Sequence, residues 1–217
     1  MTTIIEADTP EGPGRFHVAA AEDERALLIM GHGAGGGIDA VDLSVLASRL
    51  PARGISVARF EQPWRVAGKK VASPPPRLDI AWNAAVPRLL ADRPQPPIYF
   101  GGRSAGARVA CRTAPEFERV SGVVCCAFPL HPPGRPDRSR APELLGAGVP
   151  RLVLQGEKDT FGGPDEIRAE LAADDPVTVV PVLGADHSMR VAKTGPITPA
   201  ELRDLVCRSV IDFILGS

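Results

Sequence analysis

The chain has 217 residues, 44% of them hydrophobic and 24% charged, with a formal net charge of −1. That length holds one sizeable core and is short for two ordinary domains, so a single domain over residues 1–217 is expected. A charge near zero with no basic block argues against nucleic acid and against a membrane surface as partners.

The opening residues, MTTIIEADTPEGPGR, have neither a positive region nor a long apolar stretch, so they do not read as a signal peptide. No apolar run approaches membrane-spanning length. Cys111, Cys125, Cys126 and Cys207 lack metal-ligand spacing. They read as small, buried, reduced side chains of a cytoplasmic protein, with no metal site. Adjacent Cys125 and Cys126 should point to opposite faces of a strand.

In chain order, Thr2 to Glu6 and Arg15 to Ala20 read as short strands around the turn Pro10-Glu11-Gly12-Pro13-Gly14. Ala26 to Met30 is continuously apolar, as in a parallel strand buried on both faces. It runs into Gly31-His32-Gly33-Ala34-Gly35-Gly36-Gly37. Such a loop can bind phosphate, but neither G-x-x-x-x-G-K-[ST] nor a clean dinucleotide fingerprint is present. An H-G-x-G-type loop instead offers a backbone N–H to a developing oxyanion, and His32 beside Gly33 favours that reading. His32 itself reads as a brace for the loop, not as a general base.

Val41 to Leu50 has helical spacing, and Ile55 to Phe60 is the next strand. Residues just past the ends of parallel strands line the ligand crevice, which makes Glu61 and Trp64 pocket candidates. A salt bridge from Glu61 to Arg103 is expected in preference to catalysis by Glu61. Val66 to Pro76 reads as a loop leaning over the site. Arg77 to Asp92 is helical in pattern, with Leu78, Trp82, Val86, Leu89 and Leu90 near one face, and Pro87 is expected to kink or break it. Pro94, Pro96 and Pro97 lead into the next strand.

That strand, Ile98-Tyr99-Phe100, meets Gly101-Gly102-Arg103-Ser104-Ala105-Gly106 and then a helical stretch. Gly102, Ser104 and Gly106 form G-x-S-x-G. Between a strand and a helix this spacing makes a nucleophile elbow. The serine sits at a strained apex, and a Cβ two residues to either side would collide with the neighbouring strand or the helix. The helix behind it points free N–H groups at whatever the oxygen attacks.

Val120 to Phe128 is a further strand, followed by a proline-rich loop that carries His131, a histidine better placed to shape a pocket than to move protons. Pro142 to Ala147 reads as a short helix. Arg151 to Gln155 is a strand running into a turn that holds Asp159, the carboxylate candidate. Asp165, in the first turn of a helix from Pro164 to Ala173, is the fallback, although acidic residues are common there for their own sake. Val177 to Val182 is the last strand and feeds Gly184-Ala185-Asp186-His187-Ser188-Met189. His187 completes the order Ser…Asp…His and is the candidate general base. Thr198-Pro199-Ala200-Glu201 is a capping box opening a C-terminal amphipathic helix.

Alternating strands and helices, with nearly unbroken apolar strands, imply a three-layer α/β/α sandwich around a mostly parallel, doubly wound sheet. GHGAGG at 31–36, RFE at 59–61, GGRSAGAR at 101–108, FPLHPPG at 128–134 and GADHS at 184–188 together resemble the α/β-hydrolase superfamily over essentially the whole chain. More narrowly, they resemble the small dienelactone-hydrolase-like proteins, closest to the subfamily that includes a eukaryotic testis-expressed protein and a subunit of a histone-acetyltransferase complex. Dienelactone hydrolase uses a cysteine nucleophile where this chain has Ser104.

The resemblance implies an α/β-hydrolase fold, and Val120 to Arg151 leaves little room for a cap domain, so the site should be open or shallowly covered. It implies a serine hydrolase of small carboxylic esters or related acyl compounds, with Ser104, His187 and Asp159 as catalytic residues. The backbone N–H groups of Ala34 and Ala105 would form the oxyanion hole. His32, Glu61, Trp64, Arg103 and His131 are pocket candidates. It calls for no cofactor and for a small-molecule acyl substrate. Two alternatives share these features: a non-catalytic protein of the same fold that binds a ligand or partner, and an acyltransferase or perhydrolase using the same triad.

Overall fold

The computed structural model describes residues 2–91 and 96–216. Asp92 and Pro94, assigned above to a helix end and to the approach to a strand, lie outside the described residues. The elements are β1 (Thr2–Thr9), β2 (Gly12–Ala19), β3 (Ala26–Gly31), α1 (Val41–Arg49), β4 (Ile55–Glu61), α2 (Pro63–Val66), α3 (Pro75–Leu90), β5 (Ile98–Arg103), α4 (Ala105–Thr113), β6 (Val120–Cys126), α5 (Ala141–Leu145), β7 (Arg151–Gly156), α6 (Pro164–Ala169), β8 (Val177–Val182) and α7 (Pro199–Leu215).

One eight-stranded sheet runs in the order β1-β2-β4-β3-β5-β6-β7-β8. The β1–β2 hairpin is antiparallel and docks antiparallel on β4, while every later pairing is parallel. The continuously apolar β3 is buried at all its positions because β4 and β5 flank it and helices cover both faces. Pro181 falls in β8, an edge strand, where a missing backbone donor is tolerated.

Two cores result, one on each face. One packs α3 and α4 on the sheet around Trp82, which meets Phe60 and Phe100 edge-on at 5.9 and 5.2 Å between ring centroids. The other buries Leu43 and Leu46 of α1 with Leu202, Val206 and Val210 of α7. Cys125 belongs to the first core and Cys126 to the second, as strand alternation requires. All four cysteines are free and buried. Thr198 and Glu201 close the capping box of α7.

Three local expectations change. Helix α3 continues through Pro87, whose neighbours Val86 and Leu89 are buried, so packing outweighs the lost backbone bond. Helix α6 stops at Ala169, four residues early. Residues 66–76 hold the end of α2 and the start of α3. None of them lines the cavity described below. From Ala127 to Pro150 the only helix among the described residues is the short α5, so no cap domain covers the sheet. No helix among the described residues is long and apolar enough to cross a membrane.

Candidate active site

Ser104 stands between β5 and α4 with φ 52° and ψ −111°, a left-handed backbone that a side chain rarely adopts. Glycines hold it there. A Cβ on Gly102 would stand 2.6 Å from the Gly106 carbonyl oxygen, inside the first turn of α4. A Cβ on Gly106 would run into the Gly31 backbone at the end of β3. The G-x-S-x-G spacing is therefore the condition for α4 to pack flush on the central strands. The Ser104 N–H is tied to the Cys126 carbonyl at 3.0 Å, which anchors the apex to β6.

His187 arrives on the loop after β8. Its Nε2 is 2.9 Å from Ser104 Oγ, and its Nδ1 is 2.8 Å from Asp159 Oδ2 and 3.0 Å from Oδ1. Asp159, on the loop after β7, has a fully buried side chain. Its carboxylate also accepts from the Phe161 N–H at 2.8 Å and from Gln155 Nε2 at 3.0 Å. These donors satisfy a charge that burial alone would penalise. The Phe161 ring stacks on the His187 imidazole, 4.1 Å between centroids and 28° from parallel. Gln155 and Phe161 escaped the sequence reading. A single polar residue ending the apolar run RLVLQ was the available signal for Gln155; Phe161 gave none.

Ala105 is the first residue of α4, so its N–H has no intrahelical acceptor. Ala34 is exposed on the glycine loop, and both alanines line the same cavity as Ser104 and His187. That cavity encloses about 690 Å³. Among the described residues, no group of three or more histidine, cysteine or carboxylate side chains is arranged to hold a metal.

Of the five pocket candidates, only Arg103 lines this cavity. His32 is buried, with Nδ1 on the Gly33 carbonyl at 2.9 Å and Nε2 accepting the Gln62 N–H at 3.1 Å. Those partners fix the neutral Nδ1–H tautomer, and burial holds its pKa below the ordinary value. Trp64 is buried and meets His32 edge-on at 5.4 Å. The expected Glu61–Arg103 bridge does not form. Glu61 Oε2 lies 3.3 Å from His17 Nε2, because β2 rather than β5 flanks that side of β4.

Arg103 instead stands 3.5 Å from Asp42 Oδ2 on α1, and its other Nη donates to the His187 carbonyl. Asp42 is fully buried; burial raises its pKa and the Arg103 charge opposes that. His131 bonds the Pro132 carbonyl and, at 3.1 Å, Glu166 of α6, and does not line the Ser104 cavity. Asp165 is exposed and pairs with Arg168.

Three solved structures share the architecture. XC6422 from Xanthomonas campestris, an α/β serine hydrolase without a lid, superposes with a TM-score of 0.75 at 22% identity, over 100% of this chain and 96% of its own. An α/β serine hydrolase homologue from Coxiella burnetii gives 0.75 at 20% identity, over 97% and 98%. Est1E from Butyrivibrio proteoclasticus gives 0.75 at 14%, over 98% of both chains. At such identities the likeness is one of fold. The alpha/beta hydrolase domain family matches residues 24–215, nearly the whole sequence and every element that carries the site. The chain belongs to the alpha/beta hydrolase domain family.

Proposed function

We propose that the protein is a serine hydrolase that cleaves small carboxylic esters through an acyl-enzyme. The observation that carries this reading is the continuous line from Ser104 Oγ to His187 Nε2 at 2.9 Å and from His187 Nδ1 to Asp159 at 2.8 Å. His187 takes the Ser104 proton as the oxygen attacks the ester carbonyl carbon. Asp159 holds the ring with Nδ1–H toward itself and stabilises the imidazolium. The Ala34 and Ala105 N–H groups receive the oxyanion, each such donor being worth roughly 3 kcal/mol of transition-state stabilisation. Collapse breaks the carbon–oxygen bond, and His187 passes its proton to the departing alcohol. Water then attacks the acyl carbon and gives its proton to His187. The acyl carbon–Ser104 Oγ bond breaks, His187 returns the proton to Ser104 Oγ, and the carboxylic acid leaves.

The test is a panel of 4-nitrophenyl esters with wild type and Ser104→Ala. Loss of about 10⁴-fold or more in kcat is expected, together with covalent labelling of Ser104 by a fluorophosphonate. Full activity in Ser104→Ala would end the proposal.

A further inference from the structure

The cavity carries a charge pattern that ester hydrolysis does not require. Five arginines line it, Arg65, Arg103, Arg108, Arg140 and Arg190, against one acidic residue, Asp39. The chain as a whole has a net charge of −1, so this excess is local.

Two of the five are compensated. Arg103 faces Asp42 at 3.5 Å, and Arg108 holds Glu143 through two bonds of 2.6 and 2.8 Å. The other three have no ion-pair partner among the described residues. Arg140 donates to the Pro129 carbonyl at 3.1 Å; burial and the Arg108 charge lower its pKa, and the Glu143 charge opposes them. Arg65, at the end of α2, lies against the glycine loop, its Nε 3.5 Å from where a Gly37 Cβ would stand. Arg190 follows His187 by three residues and is exposed. They converge on the Ser104 cavity from three separate elements.

We propose that the substrate is an ester bearing a terminal oxyanion, carboxylate or phosphate, held by Arg65, Arg140 and Arg190. The inference rests on the hydrolase reading of Ser104. Like charges gathered at one cleft repel each other until an anion neutralises them, and they raise its local concentration. The guanidinium fork matches the paired oxygens of a carboxylate or phosphate.

The test compares two six-carbon acyl esters that differ only at the far end, 4-nitrophenyl hexanoate and mono-4-nitrophenyl adipate, with the 5-phosphonopentanoate ester as a third arm. Rates are corrected for the Ser104→Ala background. Wild type should favour a charged ester by about tenfold in kcat/KM, and 0.5 M KCl should shrink that preference. Adipate over phosphonopentanoate assigns a carboxylate; the reverse assigns a phosphate. The triple variant Arg65→Gln, Arg140→Gln, Arg190→Gln should bring the ratio near one, whereas the distant control Arg168→Gln should keep it.

A second readout needs no turnover: calorimetry of adipate and of 5-phosphonopentanoate with the Ser104→Ala protein, where at least one should bind and hexanamide should not. Equal kcat/KM for charged and neutral esters overturns the proposal, as does a wild-type ratio in a folded triple variant, or failure of both dianions to bind. Failure of the hydrolase reading looks different: no ester is turned over and no fluorophosphonate adduct forms, whatever the calorimetry reads.

Discussion

The serine and the histidine of the site reach one point by unlike means. Ser104 is placed by backbone against backbone: Gly102 meets the first turn of α4, and Gly106 meets Gly31 of β3. His187 is placed by side chains: the Asp159 carboxylate, the Phe161 ring and the Arg103 guanidinium on its carbonyl. A steric fit between main chains has no intermediate state, because a methyl group either has room or does not. A set of side-chain contacts can be taken away one at a time. The elbow should therefore fail by losing the fold, and the histidine loop should fail by losing rate.

The largest effect expected is that of Gly106→Ala, which should cost more than about 4 kcal/mol of unfolding free energy in a denaturant titration. Gly36→Ala is its partner experiment. A Cβ there meets nothing within 4 Å, so stability should stay within about 0.5 kcal/mol of wild type. A well-folded Gly106→Ala would dissolve the contrast.

Next comes Asp159→Asn. It should keep the fold and lower kcat by about 10⁴-fold, since an amide favours the wrong imidazole tautomer. If it unfolds the protein instead, the histidine side is as structurally committed as the elbow. Phe161→Leu removes the ring stacked on His187 and should lower kcat by about tenfold with little change in unfolding midpoint, because imprecise placement of a catalytic group is costly. Activity equal to wild type would show that Asp159 alone positions the ring.

The smallest effect concerns His32, which is buried as the neutral form. Its folded pKa lies below the unfolded value of about 6.5, so between those two values the unfolded chain binds more protons. Stability linked to His32 is complete above about pH 6.5 and declines as pH falls toward the folded pKa. His32→Gln should flatten that part of a melting-temperature profile recorded from pH 8 to pH 5. An unchanged slope would assign the acid sensitivity to other groups.

Much of this was legible in the residues because it is local. A continuous apolar run such as Ala26 to Met30 has no exposed face, so it must be central. G-x-S-x-G states its own steric condition within five residues. The capping box of α7 likewise needs only four. His187 and Asp159 were legible by place, as polar residues just past late apolar strands.

The Glu61–Arg103 pairing failed because it depended on strand order. β3 lies between β4 and β5, while β2 brings His17 beside Glu61 and α1 brings Asp42 to Arg103. His131 and Trp64 failed as pocket residues for a similar reason. Each found a partner, Glu166 and His32, on an element whose docking the sequence does not state.

The sequence by itself determined the alternation of strands and helices, the turn that strains Ser104, and the residue types able to form a proton-transfer line. Those follow from sterics and burial between near neighbours in the chain. Only the tertiary structure decided that Asp159 and Ser104 meet the two nitrogens of one imidazole, and that arginines from α2 and two distant loops crowd one cavity. Charges and hydrogen bonds act over a few ångströms, and strand order and helix docking choose which distant residues come that close.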